Sequence, residues 1–173
     1  MSRSARCSLA STLGALCCAL LAGCMGYRVG PVLHADYKSV AVPMFKNRTL
    51  RPQLEAQITN AIIKALQADG TLRIESTDDA DVVVTGAIVD HERIELRSAR
   101  TDTDVAREYR IAITAEIEAR NRRTGQMVVK STRIKGQADT FIGSDLQSSE
   151  LQALPLVADD LARQVVSLLV ESW

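Results

Sequence analysis

Two hydrophobic rhythms alternate along the chain. Between Pro52 and Gly70, the residues Leu54, Ile58, Ala61, Ile62, Ala65 and Leu66 recur at spacings of three and four. That spacing stacks them on one face of a helix, which Pro52 opens and Gly70 stops. Near the end, Leu154, Val157, Leu161, Val165, Leu168 and Leu169 repeat the pattern and predict a second helix over residues 149–172. Ser149 and Gln152 suit a capping pair there, and Pro155 is tolerated if the regular helix starts near it. The remaining apolar residues follow period two. Tyr37 to Phe45 reads as a strand with Val40 and Val42 alternating, and Pro43 removes one ladder donor. Leu72 to Glu75 reads as a short second strand.

From Asp81 to Arg97, Val82, Val84, Gly86 and Ile88 share one side, which strict alternation continues through Asp90, Glu92, Ile94 and Leu96. The other side carries Val83, Thr85, Ala87 and Val89, then His91, Arg93 and Glu95. The first half is expected to be buried on both faces and the second half to be half-exposed. A polar loop follows from Ser98 to Ala106. Arg107 to Arg120 then alternates cleanly, with Tyr109, Ile111, Ile113, Ala115, Ile117 and Ala119 on one side. Asn121 to Gly125 is a hairpin turn with Gly125 available for positive φ, and Met127 to Lys135 returns as the partner strand. The order of strand, helix, several strands and helix predicts an α+β domain over residues 37–173. Its expected form is a two-layer sandwich, a mixed four- to five-stranded sheet with two helices packed on one face.

The N-terminal segment follows neither rhythm. Arg3 and Arg6 precede an uncharged, largely apolar run that ends in Leu21-Ala22-Gly23-Cys24, and the next charge is Arg28. Ser8, Ser11, Thr12, Gly14, Gly23 and Gly26 interrupt the run, which suits a removed signal better than a span of about 20 apolar residues. The closing tetrapeptide resembles a bacterial lipobox, whose cysteine carries the lipid. Residues 1–23 are therefore expected to be a lipoprotein signal peptide, Cys24 the lipidation site, and residues 24–36 a tether reaching about 35 Å at most.

Composition narrows the function by exclusion. Formal net charge is zero and aromatic residues make up 3% of the chain, so neither a basic footprint nor a base-stacking surface for nucleic acid is present. Cys7, Cys17, Cys18 and Cys24 all lie at the N-terminus, leaving no disulfide or zinc framework in the folded part. Asp90-His91-Glu92 is the sharpest catalytic candidate, but neighbours on a strand point to opposite faces and cannot converge as a triad. The sequence predicts no enzyme, metal or cofactor. Arginine forks suit phosphate oxygens, and Arg97, Arg100 and Arg107 flank one loop while Lys130 and Arg133 lie on the last strand. These are the candidate contacts for an anionic glycolipid or an acidic protein wall. In the alternative reading, Glu92, Glu95, Asp102, Asp104 and Glu108 neutralise the basic residues into a solvated edge.

Taken in order, Cys24, Gly26-Tyr27, Val42-Pro43-Met44-Phe45-Lys46-Asn47, Arg51-Pro52-Gln53-Leu54-Glu55, Ala80-Asp81 with Gly86, Arg107-Glu108-Tyr109 and Arg123-Thr124-Gly125 resemble the lipopolysaccharide-assembly lipoprotein family (LptE-like). Met25 stands between the cysteine and the glycine-tyrosine pair, a departure from the family's start. The resemblance implies an outer-membrane lipoprotein that faces the periplasm and plugs a large β-barrel protein of the LptD type. The pair would deliver lipopolysaccharide to the cell surface by scaffolding and substrate contact, without bond chemistry. By position in the strand-loop-strand unit, the family's lipopolysaccharide-contacting loop corresponds to Arg97, Arg100 and Arg107. Met25, not being aspartate, lacks the signal for inner-membrane retention that the bacterial sorting rule describes. A regulatory periplasmic lipoprotein of cell-wall synthesis or secretion, on a similar α/β domain, is the alternative. The short tether favours the barrel plug.

Overall fold

A computed structural model describes residues 37–97, 107–142 and 145–171, without the side chains of Arg97, Arg107, Ile142 and Glu171. In chain order the elements are β1 (Ser39–Ala41), β2 (Lys46–Asn47), α1 (Leu54–Asp69), β3 (Arg73–Ile74), β4 (Val82–Arg97), β5 (Arg107–Asn121), β6 (Met127–Ile142) and α2 (Leu146–Glu171). The sheet runs β3-β1-β4-β5-β6, with β2 also paired to β4. β1 is parallel to both β3 and β4, and β2 is parallel to β4. β4, β5 and β6 are antiparallel and long. This is the mixed sheet with two helices that the sequence predicts, and both helices share one core with it.

Burial follows the expected stripes. Leu54, Ile58, Ile62 and Leu66 of α1, and Leu154, Val157, Leu161, Val165 and Leu169 of α2, meet Val82, Val84 and Ile88 of β4 and Ile111, Ile113 and Ile117 of β5. Gly70 ends α1 in the left-handed region, its N–H donating to the Leu66 carbonyl at 3.1 Å. Gly125 makes the β5–β6 turn at φ 71°, and Asn121 Oδ1 accepts from the N–H groups of Arg123 and Thr124, each at 3.0 Å. The Tyr37 hydroxyl donates to the Leu169 carbonyl at 2.9 Å, tying the start of the described chain to the last helix. Burial pushes that hydroxyl up to about 12.

Several expectations change. Of the strand expected from Tyr37 to Phe45 only Ser39–Ala41 forms, ending ahead of Pro43, and a second short strand follows beyond it at Lys46–Asn47. β4 is not buried on both faces in its first half: Thr85 is exposed and Val83 half-buried, while Val82, Val84 and Ile88 are covered by helices. β6 runs to Ile142, well past Lys135. α2 begins at Leu146, and the cap is Asp145, whose carboxylate accepts from the N–H of Gln147 and from the hydroxyl of Ser148. Ser149 and Gln152 therefore lie inside the helix, and so does Pro155, on an exposed position. The signal, Cys24, the tether and the loop at 98–106, with Arg100, lie outside the described residues.

The largest correction concerns the faces of β4. Ile88 pairs with Ala115 but Asp90 pairs with Thr114, so Val89 is an extra, bulged residue. Before it, even positions face the helices. After it, His91 stands opposite Ile113 and Arg93 opposite Ile111, on the helix side. Asp90, Glu92 and Ile94 turn to the face that carries no helix. Strict alternation assigned these sides the other way round.

Candidate functional site

The bulge delivers two basic side chains to one buried acid. Glu150, on the second turn of α2, is 3% exposed. Its Oε1 lies 2.9 Å from Arg51 Nη1 and 3.1 Å from His91 Nε2, and its Oε2 accepts from Arg93 Nη1 at 3.5 Å. Neither Glu150 Oε1 nor His91 Nε2 has an aligned hydrogen-bond partner, so the contact of Oε1 with Arg51 is an ion pair without that alignment. A buried carboxylate that has given up its hydration needs close cationic neighbours, here Arg51 and Arg93. The cluster joins the loop before α1, the bulged strand and the start of α2.

The loop that supplies Arg51 is held by one side chain. Asn47 Nδ2 donates to the Arg51 carbonyl at 2.7 Å and to Glu55 Oε2 at 2.9 Å. Asn47 Oδ1 accepts from the Thr49 N–H at 3.0 Å and from its hydroxyl at 2.7 Å. Glu55 is held below the usual carboxylate range, first by its own backbone N–H and then by Asn47. At the loop's end Gln53 adopts φ 68°, a left-handed conformation that a side chain with Cβ disfavours. It caps α1 without a side-chain hydrogen bond.

Between this loop, the bulge and α2 opens a cleft of about 740 Å³, lined by Arg48, Arg51, Gln53, His91 and Leu151 among others. The described residues hold no cluster of acids, histidines and cysteines that suits a metal ion. Arg48, Arg51, His91, Asp90 and the amides of Gln53 and Gln147 around an open cleft can bind, and among the described residues of its lining no nucleophile with an adjacent base is assembled.

A second framework sits at the other end of β1. Asp81 Oδ2 accepts from the N–H of Lys38 at 2.8 Å, the N–H of Ser39 at 3.1 Å and the Ser39 hydroxyl at 3.0 Å. These bonds, led by Lys38, hold its carboxyl below the usual range. Asn47, Arg51, Glu55 and Asp81 therefore act on strand pairing and loop shape. The sequence singled them out only as a pattern.

The face of the sheet away from the helices carries cross-strand ion pairs. Glu116 lies 3.7 Å from Arg48 and 3.5 Å from Arg133, Lys135 lies 2.6 Å from Glu92, and Arg110 makes two hydrogen bonds to Asp139 at 2.6 and 2.8 Å. Ala87 and Ala112 are buried on this face, roofed by the long charged side chains.

Of the predicted contacts, Arg97 and Arg107 lie where β4 and β5 meet the loop at 98–106. Lys130 is exposed near the opposite end of the sheet, beside Val129, which pairs with Ala119. Twelve strand residues separate Arg107 from Ala119, about 40 Å. The fold keeps these two groups apart. Arg133 is exposed and shares Glu116 with Arg48. Arg51 and Glu150 were not singled out as site residues, and His91 was weighed only within Asp90-His91-Glu92 and set aside; the signal that would have joined them is the bulge, which strict alternation hides.

The family described as LptE, lipopolysaccharide-assembly, matches residues 37–169. Among solved structures, the fold resembles that of a hypothetical protein from Chlamydia trachomatis at a TM-score of 0.54 and 13% identity, covering 76% of this chain and 94% of that one. It also resembles a protein from Xanthomonas campestris at a TM-score of 0.54 and 9% identity, covering 78% of this chain and 85% of that one. At such identities the likeness establishes a shared fold. No curated protein sequence matches the chain.

Proposed function

Because the chain belongs to the LptE lipopolysaccharide-assembly family, we propose that it is an outer-membrane lipoprotein that plugs and scaffolds a large β-barrel translocon of the LptD type. In this reading residues 1–23 are removed, Cys24 carries the lipid, residues 24–36 are the tether, and residues 37–173 form one domain at the periplasmic side. Acyl chains add about 0.8 kcal/mol per buried CH₂, and a second chain makes such anchoring stable. No described helix is long and apolar enough to cross a membrane.

The observation that carries the reading is the helix-free face of the sheet. Along most of its length its exposed layer is charged and internally paired, through Arg48–Glu116–Arg133, Lys135–Glu92 and Arg110–Asp139, with Ile94 and Phe141 exposed toward the end near residues 97 and 107. Such a face suits the polar, water-lined wall of a barrel lumen better than a lipid surface. The protein acts by filling and holding, without bond chemistry. Arg97, Arg100, Arg107, Lys130 and Arg133 are the proposed contacts to the glycolipid or to the partner.

Affinity purification of the tagged protein from outer membranes tests this directly. A large β-barrel protein co-purifies; its absence refutes the translocon role. Cys24→Ala abolishes membrane partitioning, and unchanged partitioning removes the lipid assignment. Replacing Arg97, Arg100 and Arg107 by glutamate weakens lipopolysaccharide binding, and unchanged binding removes them from the site.

A further inference from the structure

Among the described residues β6 is the last strand of the sheet, 16 residues long and paired on one side only, to β5. Such an edge offers unpaired N–H and C=O groups as a template for another chain. Along an antiparallel strand, alternate residues turn both backbone groups to the same side. The Gln137 N–H and the Lys135 C=O point away from β5, since both bond to α2. By the same alternation, so do the groups of Arg133, Asp139 and Phe141.

Two side chains of α2 stand there in place of a neighbouring strand. Asp160 Oδ2 accepts from the Gln137 N–H at 3.0 Å, and Gln164 Nε2 donates to the Lys135 carbonyl at 3.0 Å. Asp160 is itself held from both sides, since Gln164 Nε2 donates to its Oδ2 at 3.3 Å and Arg163 Nη2 to its Oδ1 at 3.0 Å. The spacing suits the task. Residues 160 and 164 are one helical turn apart, ~6 Å, close to the ~6.8 Å between alternate residues of a strand. Gly136, between the two bonded residues, brings α2 near enough: a Cβ there would fall 2.6 Å from Leu161 Cβ and from the Val157 carbonyl oxygen.

We propose that Asp160 and Gln164 form a latch that closes the β6 edge to strand addition, and that the strand it keeps out is β6 of a second, still unfolded copy. Antiparallel pairing centred on Gln137 sets Lys135 opposite Asp139 and Arg133 opposite Phe141, cation against acid and cation against ring. Centring on Lys135 or on Asp139 would set like charges opposite each other. The favoured register needs the Gln137 N–H and the groups beside it, and the latch occupies them. This device stands independently of a barrel partner.

The test uses the full chain and a fluorescein-labelled peptide copying Ser131 to Phe141. In fluorescence anisotropy, the Asp160→Ala Gln164→Ala variant binds the peptide about tenfold more tightly than the unaltered chain. Adding Gln137→Pro abolishes the gain, because proline offers no N–H to an incoming strand and gives up no bond to β5. Asp159→Ala, which removes an exposed neighbouring acid from the same helix, leaves binding as in the unaltered chain. Alanine favours the helix, so the variants keep α2. Amide exchange supplies a reading without peptide: the Gln137 amide exchanges about tenfold faster in Asp160→Ala. Equal peptide binding with and without the latch, a gain that survives Gln137→Pro, a gain from Asp159→Ala, or a Gln137 amide indifferent to Asp160→Ala would overturn the proposal.

Discussion

The ring of Phe45 occupies the space that a side chain on Gly86 would need: an ideal Cβ there falls 2.3 Å from Phe45 Cε2. Phe45 is 2% exposed and stands just before β2, while Gly86 is on β4, where β2 pairs with the next two residues. The glycine is what lets an aromatic ring lie against the sheet between two short parallel strands.

Gly86→Ala should therefore destabilise the fold by about 1–3 kcal/mol, since a buried ring must move and cannot do so cheaply. Urea denaturation measures the loss. Combining it with Phe45→Leu should recover part of the loss, because the smaller side chain gives up the contested space.

Glu150→Ala removes the carboxylate that Arg51, His91 and Arg93 share. Partly exposed arginines retain some hydration, so the cost is about 3 kcal/mol, the low end for breaking a buried pair. Thermal melts with the single variant and with Arg51→Ala Glu150→Ala test the coupling. The double variant should lose less than the sum of its parts.

Gln53→Gly should stabilise, by up to about 1 kcal/mol, because φ 68° carries no penalty for glycine. A loss of stability would mean that the Gln53 side chain contributes more than its backbone costs.

Tyr37 makes stability fall in alkali. Its hydroxyl is raised to about 12 by burial, so the folded chain holds a proton that the unfolded chain releases from pH 10 upward. The stabilisation is complete below pH 10 and is lost as pH rises through 12, amounting to about 2.7 kcal/mol at most. Denaturation at pH 8 and pH 11 checks this. Tyr37→Phe, which gives up the bond to the Leu169 carbonyl at about 1 kcal/mol, should flatten the difference.

Both helices, the long hairpin and the Gly125 turn were legible because each is written in local chemistry: a three-four stripe, a two-residue alternation, a glycine at positive φ. β6 was read only as far as Lys135, the residue before Gly136. In the fold Gly136 is required, since a Cβ there would meet the Val157 carbonyl and Leu161 Cβ at 2.6 Å. The Gln137 N–H is satisfied by Asp160 at 3.0 Å. The start of α2 was misplaced because Pro155 reads as a helix entrance. A helix packed this tightly against the sheet accepts a proline whose ring faces solvent, since tertiary contacts outweigh one lost hydrogen bond. The buried cluster was illegible for a different reason. Arg51, the His91–Arg93 segment and Glu150 lie far apart in the chain, and what turns His91 and Arg93 toward Glu150 is a bulge.

That bulge gives β4 a parity. A strand sorts its side chains by counting in twos, and Val89 is the odd step that resets the count. With it, the helix layer meets His91 and Arg93; a β4 that kept the earlier count would offer Asp90 and Glu92 to Glu150 instead, acid against acid. The sign of the charge facing α2 is thus set by the number of residues between Ile88 and His91, more than by their identity. Substitutions at Val89 should be absorbed, whereas one residue gained or lost beside it would reverse the electrostatics of the strand from Asp90 to Glu95, where the register shifts again.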